Sequence, residues 1–258
     1  MNFDQKLENY ADLLVSYALN IQEGQILNIN TEPENRVLAM MILELAYQKG
    51  AKFVDLNLNE SKAGRSRILY SKNEFLEYVP SFIPNKFDEY ISNKSASLSL
   101  ISPEDPDILE GLNPQKINAL RIANYKARKK FYDEGIDKSN IHWTVASAAT
   151  YGWAKKLFPG LNKEEAKEKL WDELFKICRV DRDDYLKYWK EHDNILKSRA
   201  NFLNNSNIKE FKFIGPKTDL IVGLSDQAIF KGGKEKSTRD AWFEPNIPTE
   251  ECFTTPDY

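Results

Sequence analysis

Apolar residues recur at helical spacing from the start of the chain. Phe3, Leu7, Tyr10, Leu14, Tyr17 and Ile21 share one face, and Gly24 ends the run. Residues 25–30 (QILNIN) then read as a short strand. Thr31, followed by Pro33 and by Glu34 three residues on, matches a capping box that opens a helix. The predicted inward face of that helix is Val37, Met40, Met41 and Leu45, and its stop is Gly50. Residues 52–58 alternate Val54, Leu56 and Leu58 with Asp55 and Asn57, which predicts a second strand.

The alternation continues. A helix is expected over 85–94, then a strand over 96–101 with Ala96, Leu98 and Leu100 on one side and serines on the other. Asn113 followed by Pro114 reads as an N-cap with proline at the first helical position, opening a long helix that ends near Gly135. Residues 141–146 (IHWTVA) predict a further strand. Strands alternating with helices of this length imply right-handed crossovers. The expected fold class is therefore α/β, a mainly parallel sheet flanked by helices in three layers.

From Asn162 the character changes. Asn162 and Glu165 form a capping box for a helix through Cys178, and Asp181 is expected to cap a second helix reaching about Asn204. Tyr185, Trp189, Ile195 and Phe202 are among its apolar positions. After residue 204 the text is all strand and turn: KEFKFIG, TDLIVGL, then Gly232-Gly233, which reads as a hairpin turn. The expected division is an N-terminal α/β domain with a helical extension at 1–204 and the start of a β-rich second domain at 205–258. So few strands would leave unpaired edges, and the expectation is that they open a domain continuing past this chain.

Composition narrows the classes. With 258 residues, 41% hydrophobic and 29% charged, the chain is of ordinary globular make-up and long enough to build a core without staples. A net charge of -3 argues against a dedicated nucleic-acid binder. Cys178 is read as a buried free thiol and Cys252 adjoins the acidic segment at the end of the chain, a structural disulfide between them being the disfavoured alternative. Asp4 and Glu8 stand where a signal peptide is basic then apolar, and no apolar run approaches membrane-spanning length, so the expected location is cytoplasmic.

Most catalytic signatures are absent. His142 and His192 match no zinc-ligand spacing, and both are read as structural or surface residues. There is no HExxH, GxSxG or GxGxxG, and the lysines around Gly232-Gly233 lack phosphate-loop spacing. The basic run at Lys126, Arg128, Lys129 and Lys130 reads as a solvated helix face.

What remains is the segment 244–258, EPNIPTEECFTTPDY, which gathers Glu244, Glu250, Glu251 and Asp257 around prolines. By composition alone it reads as a proline-rich surface turn. Carboxylates held by turn residues are also a common source of oxygen ligands for a divalent cation. Pro248 and Pro256 restrain the backbone on either side of Glu250 and Glu251. Only one of two adjacent side chains in an extended segment faces a given cation.

The run NIPTEECFTTPDY resembles the signature of the aminopeptidase T and aminopeptidase S family of metallo-aminopeptidases. DLIVGL at 219–224, the Gly232-Gly233 turn, GWAKKLFPGL at 152–161 and DPDILEGL at 105–112 fit the same pattern. The resemblance implies release of N-terminal residues from peptides by a catalytic domain holding two divalent ions (Zn, Co, Mg or Mn). Such a pair would polarise the scissile carbonyl and supply a hydroxide-like nucleophile. It implies Glu251 as a metal ligand, with Glu250 as the fallback, and a homodimer when intact, with peptides as partners and neither nucleic acid nor membrane. The other family ligands have no match in this chain, so these residues alone are expected to be inactive. A non-enzymatic α/β ligand-binding or dimerisation module is the alternative.

Overall fold

The computed structural model describes residues 1–250 and 252–254. Within it the chain forms two compact units, one from Met1–Asp183 and Glu235–Ile247, the other from Asp184–Lys234 and Pro248–Tyr258. The helix before residue 205 groups with the strands that follow it, and residues 235–247 return to the first unit.

The first unit holds α1 (Phe3–Asp12), β1 (Ile26–Thr31), α2 (Arg36–Gln48), β2 (Phe53–Leu58), α3 (Ser61–Tyr70), α4 (Asn73–Leu76), α5 (Phe82–Ser92), β3 (Ala96–Leu100), α6 (Pro114–Lys130), β4 (His142–Ala146), α7 (Tyr151–Leu157) and α8 (Lys163–Ile177). All three pairings in its four-stranded sheet are parallel, in the order β2-β1-β3-β4. The fold is thus α/β, as the alternation predicts. α1 and α6 each run on into a π-helical turn, at Leu13–Ala18 and Phe131–Ile136. Leu27, Ile29 and Leu98 of the sheet and Leu38 and Ile42 of α2 are fully buried on one side. On the other side Ile26 packs with Tyr90, Phe131 and Ile141.

Local chemistry explains the boundaries. Asn2 and Gln5 cap α1 reciprocally, and Asn162 and Glu165 do the same for α8. Asn113 accepts from the backbone of Gln115 and Lys116, with Pro114 at the first position of α6. Thr31 is no cap: it is the last residue of β1, and its hydroxyl accepts from Asn35 Nδ2 at 3.0 Å. A 3₁₀ turn at Pro33–Asn35 intervenes before α2. The buried face of α2 is Leu38, Ala39, Ile42 and Ala46, while Val37 is 68% exposed. Gly152 is required in α7 because a Cβ there would lie 1.9 Å from the Glu104 carbonyl oxygen.

The second unit contains α9 (Tyr185–Asn205) and a hairpin of β5 (Glu210–Gly215) and β6 (Thr218–Gly223), paired antiparallel through a two-residue turn. Asp181 does not cap α9, which starts after Asp184 without a side-chain cap. Its buried positions are Trp189, His192, Asp193, Leu196 and Ala200, while Ile195 and Phe202 are exposed. Asn204 ties the end of α9 to Phe230, donating to its carbonyl at 3.0 Å and accepting from its N–H at 2.8 Å. The Gly232-Gly233 step joins no hairpin. The short strands after it, β7 (Glu235–Lys236) and β8 (Trp242–Phe243), pair with each other in the first unit.

Candidate functional site

The acidic segment is anchored before it reaches its carboxylate pair. In the first unit, Phe243 is fully buried and stacks on the His142 ring at 5.4 Å. The Glu244 N–H donates to the Ala18 carbonyl at 2.7 Å. Val145 N–H donates to Pro245 O at 2.8 Å, and Ile247 N–H donates to Val145 O at 2.9 Å. Asn246 therefore sits as a parallel neighbour of Val145 beside β4.

His142 is structural, as expected. Its Nδ1 lies 2.7 Å from the Leu19 carbonyl, which only accepts, so Nδ1 carries the proton. Its Nε2 then accepts from the Ser237 hydroxyl at 2.8 Å. Burial pushes the imidazole below its ordinary range, with nearby Arg239 adding to the effect.

In the second unit the segment runs along α9. His192 Nε2 lies 2.7 Å from the Thr249 carbonyl, so it too is a donor there. The Cys252 thiol contacts the Leu196 carbonyl at 3.3 Å, and Phe253 and Lys231 exchange two backbone hydrogen bonds of 2.9 Å. One face of α9 thus holds the chain on both sides of position 251. Asp193 holds the end of the second unit's 184–234 stretch: its carboxylate accepts from Lys234 N–H at 2.8 Å and pairs with Lys197 at 2.7 Å. Gly233 is needed there, with φ +75 and a would-be Cβ 2.2 Å from Asp193 Oδ1.

Of the two sequence-predicted ligands, Glu251 lies outside the described residues. Glu250 has an exposed side chain whose Oε2 is 3.6 Å from His192 Nε2. Among the described residues no group of three or more His, Cys, Asp or Glu side chains could hold a metal ion. His192 Nε2 is committed to Thr249, and a single carboxylate beside it falls short of the donor set a divalent cation needs. The described residues thus do not make a metal centre by themselves. What the arrangement does is hold the Thr249 carbonyl, the Cys252 thiol and the Phe253 backbone.

His192 is structural, within the structural-or-surface reading of the sequence, while Asp193 was not singled out there. Both belong to the stripe Trp189, His192, Leu196 and Ala200, whose spacing marks the inward face of α9. The Lys190, Glu191 and Asp193 flanks make His192 look like a surface residue, although it is only 8% exposed.

Residues 3–258 match the family described as thermophilic metalloprotease (M29). The chain is 34% identical over 258 residues to aminopeptidase PepS of Streptococcus thermophilus, covering 100% of this chain and 62% of that protein. It is 33% identical over 255 residues to aminopeptidase T of Thermus thermophilus, covering 98% of this chain and 62% of that protein. Among solved structures, wild-type AmpT from Thermus thermophilus matches with a TM-score of 0.89 at 29% identity, over 99% of this chain and 62% of that one. The chain spans about three fifths of the length of the relatives it matches.

Proposed function

Because the chain belongs to the thermophilic metalloprotease (M29) family, we propose that the protein containing it is a metal-dependent aminopeptidase releasing N-terminal residues from peptides. The observation that carries this reading is the family match across residues 3–258, with relatives named as aminopeptidases at about one third identity over nearly the whole chain. The reading includes two divalent ions per active site, Glu251 as one ligand (Glu250 if the register differs), a catalytic domain opening at residue 205, a cytoplasmic location and a homodimer. Nucleic acid and membrane have no part in it.

The described geometry gives this chain's residues a defined share of the work. His192, Leu196 and Lys231 hold the Thr249 carbonyl, the Cys252 thiol and the Phe253 backbone, on either side of position 251. Preorganising a ligand in this way lowers the ordering cost of binding.

The test is turnover of a leucine-linked chromogenic substrate by the gene product that contains these residues. Chelation is expected to abolish it and added divalent metal to restore it. Turnover that survives exhaustive chelation contradicts the proposal.

A further inference from the structure

A parallel sheet covered by helices on both faces calls for apolar side chains on both. One face of this sheet obeys, with Leu27, Ile29, Val54 and Leu98 buried. The other does not. The strand register sets Asp55, Asn28, Ser97 and Trp143 in one row across the sheet, and Asn57, Asn30, Ser99 and Val145 in the next.

Part of this polar face is satisfied internally. Asn57 Nδ2 donates to Asn28 Oδ1 at 3.0 Å, and Asn28 Nδ2 donates to Ser97 Oγ at 3.2 Å. The Tyr90 hydroxyl donates to Asp55, whose carboxylate also pairs with Lys86 at 2.5 Å. The rest is not. Among the described residues, the Asn30 amide and the Ser99 hydroxyl have no protein partner, and the Trp143 indole N–H is shielded from solvent with no acceptor. A polar group shielded as the Trp143 indole is destabilises the fold unless something else binds it, and the half-buried Asn30 and Ser99 stand open beside it.

These three groups line one crevice of about 490 Å³, together with the rings of Phe131 and Tyr132 and the aliphatic Ile136. Its lining includes no Asp or Glu, and its one formal charge is the exposed Arg128, whose guanidinium rests over the Phe87 ring at 5.1 Å. The place is also telling. Asn30 and Ser99 are the penultimate residues of β1 and β3, and the strand order reverses between those strands. Ligands of open α/β sheets bind at the carboxyl ends of strands flanking such a reversal.

We propose that this crevice is a binding site for a small monocarboxylate with an aromatic or apolar body. The indole N–H, the hydroxyl, the amide and Arg128 are donors suited to a carboxylate, and Phe131, Tyr132 and Ile136 receive the body. A cation finds no carboxylate there, and a dianionic phosphate finds one positive charge where it needs more. The volume suits a small molecule, such pockets running roughly from 300 to 1,000 Å³. The proposal does not depend on the peptidase reading.

The experiment titrates residues 1–258 with phenylacetate, with its neutral isostere phenylacetamide, and with inorganic phosphate, following tryptophan fluorescence and binding heat. Phenylacetate is expected to bind saturably, about tenfold or more tighter than the other two. Ser99→Val is expected to weaken it by a similar factor while leaving the melting temperature equal or higher, because the hydroxyl has no protein partner to lose. Should that variant fail to fold, the proposal is overturned on that count, since it assigns Ser99 no structural role. Arg128→Gln, at an exposed position, is expected to fold and to weaken phenylacetate without weakening phenylacetamide. No saturable phenylacetate signal, equal affinity for the amide, or unchanged binding in Arg128→Gln overturns the assignment.

Discussion

His192 Nε2–H donates to the carbonyl of Thr249 across 2.7 Å, so a residue in the middle of α9 fixes the backbone of the acidic motif 57 positions away in sequence. This bond turns a proline-rich stretch with little regular structure into a held segment. Removing it leaves the buried stripe of α9 with a hole and the Thr249 carbonyl without its donor. His192→Ala is expected to cost about 1–3 kcal/mol, read from urea unfolding of residues 1–258. A variant as stable as the parent removes the bond from the account of how the motif is held.

Gly152 and the Glu104 carbonyl make a second, stricter contact. An alanine Cβ at 152 would sit 1.9 Å from that oxygen, and the neighbouring backbone must shift to admit it. Gly152→Ala is expected to cost about 1–3 kcal/mol, as overpacking does. Gly160→Ala, with nothing within 4 Å of the added carbon, is expected to stay within about 0.5 kcal/mol of the parent. Paired thermal melts separate the two, and equal melting temperatures contradict the argument.

Acid is expected to act in two windows. Burial holds the His142 imidazole below its ordinary value of 6.5 in the folded protein. Below that pH the unfolded chain therefore binds a proton that the folded one does not. Stability is whole above about pH 6.5 and falls as pH drops, by at most about 1.4 kcal/mol per pH unit. Burial alone would raise the Asp55 carboxyl, but hydrogen bonds from Lys86 and Tyr90 more than reverse that and hold it below 3.8. Its contribution is lost only as pH falls through the acidic range beneath that value. His142→Gln is expected to flatten the decline in melting temperature between about pH 7 and about pH 5, while leaving the fall below about pH 4 in place. A decline of unchanged slope in the variant places the acid sensitivity elsewhere.

The sheet was largely legible because its strands are short runs of alternating apolar and polar residues between turn residues, and because Asn113-Pro114 and the Asn162–Glu165 pair have one local use each. The failures share a cause. Val37, Met40, Leu38 and Ile42 offer α2 two plausible apolar faces, and only packing decides between them. Thr31 can cap a helix or end a strand, and the Asn35 side chain takes its hydroxyl into the second role. The candidate site divides similarly. Glu250 and Glu251 stood out only through the motif around them, since no local rule tells a ligand from a solvated acid. His192 was legible only as structural or surface because its neighbours are charged, and its spacing from Trp189 and Leu196 is what places it inward.

Glu251 is the residue on which the peptidase reading bears most directly. The decisive measurement is divalent metal bound per chain, by plasma mass spectrometry alongside leucine-linked substrate turnover, in the gene product containing residues 1–258. Glu251→Gln is expected to lower both by about tenfold or more, while Glu250→Gln leaves both near the parent values. Unchanged metal and turnover in Glu251→Gln, with both lost in Glu250→Gln, would contradict the ligand assignment; a parent protein that cleaves the substrate while holding no metal would contradict the function itself.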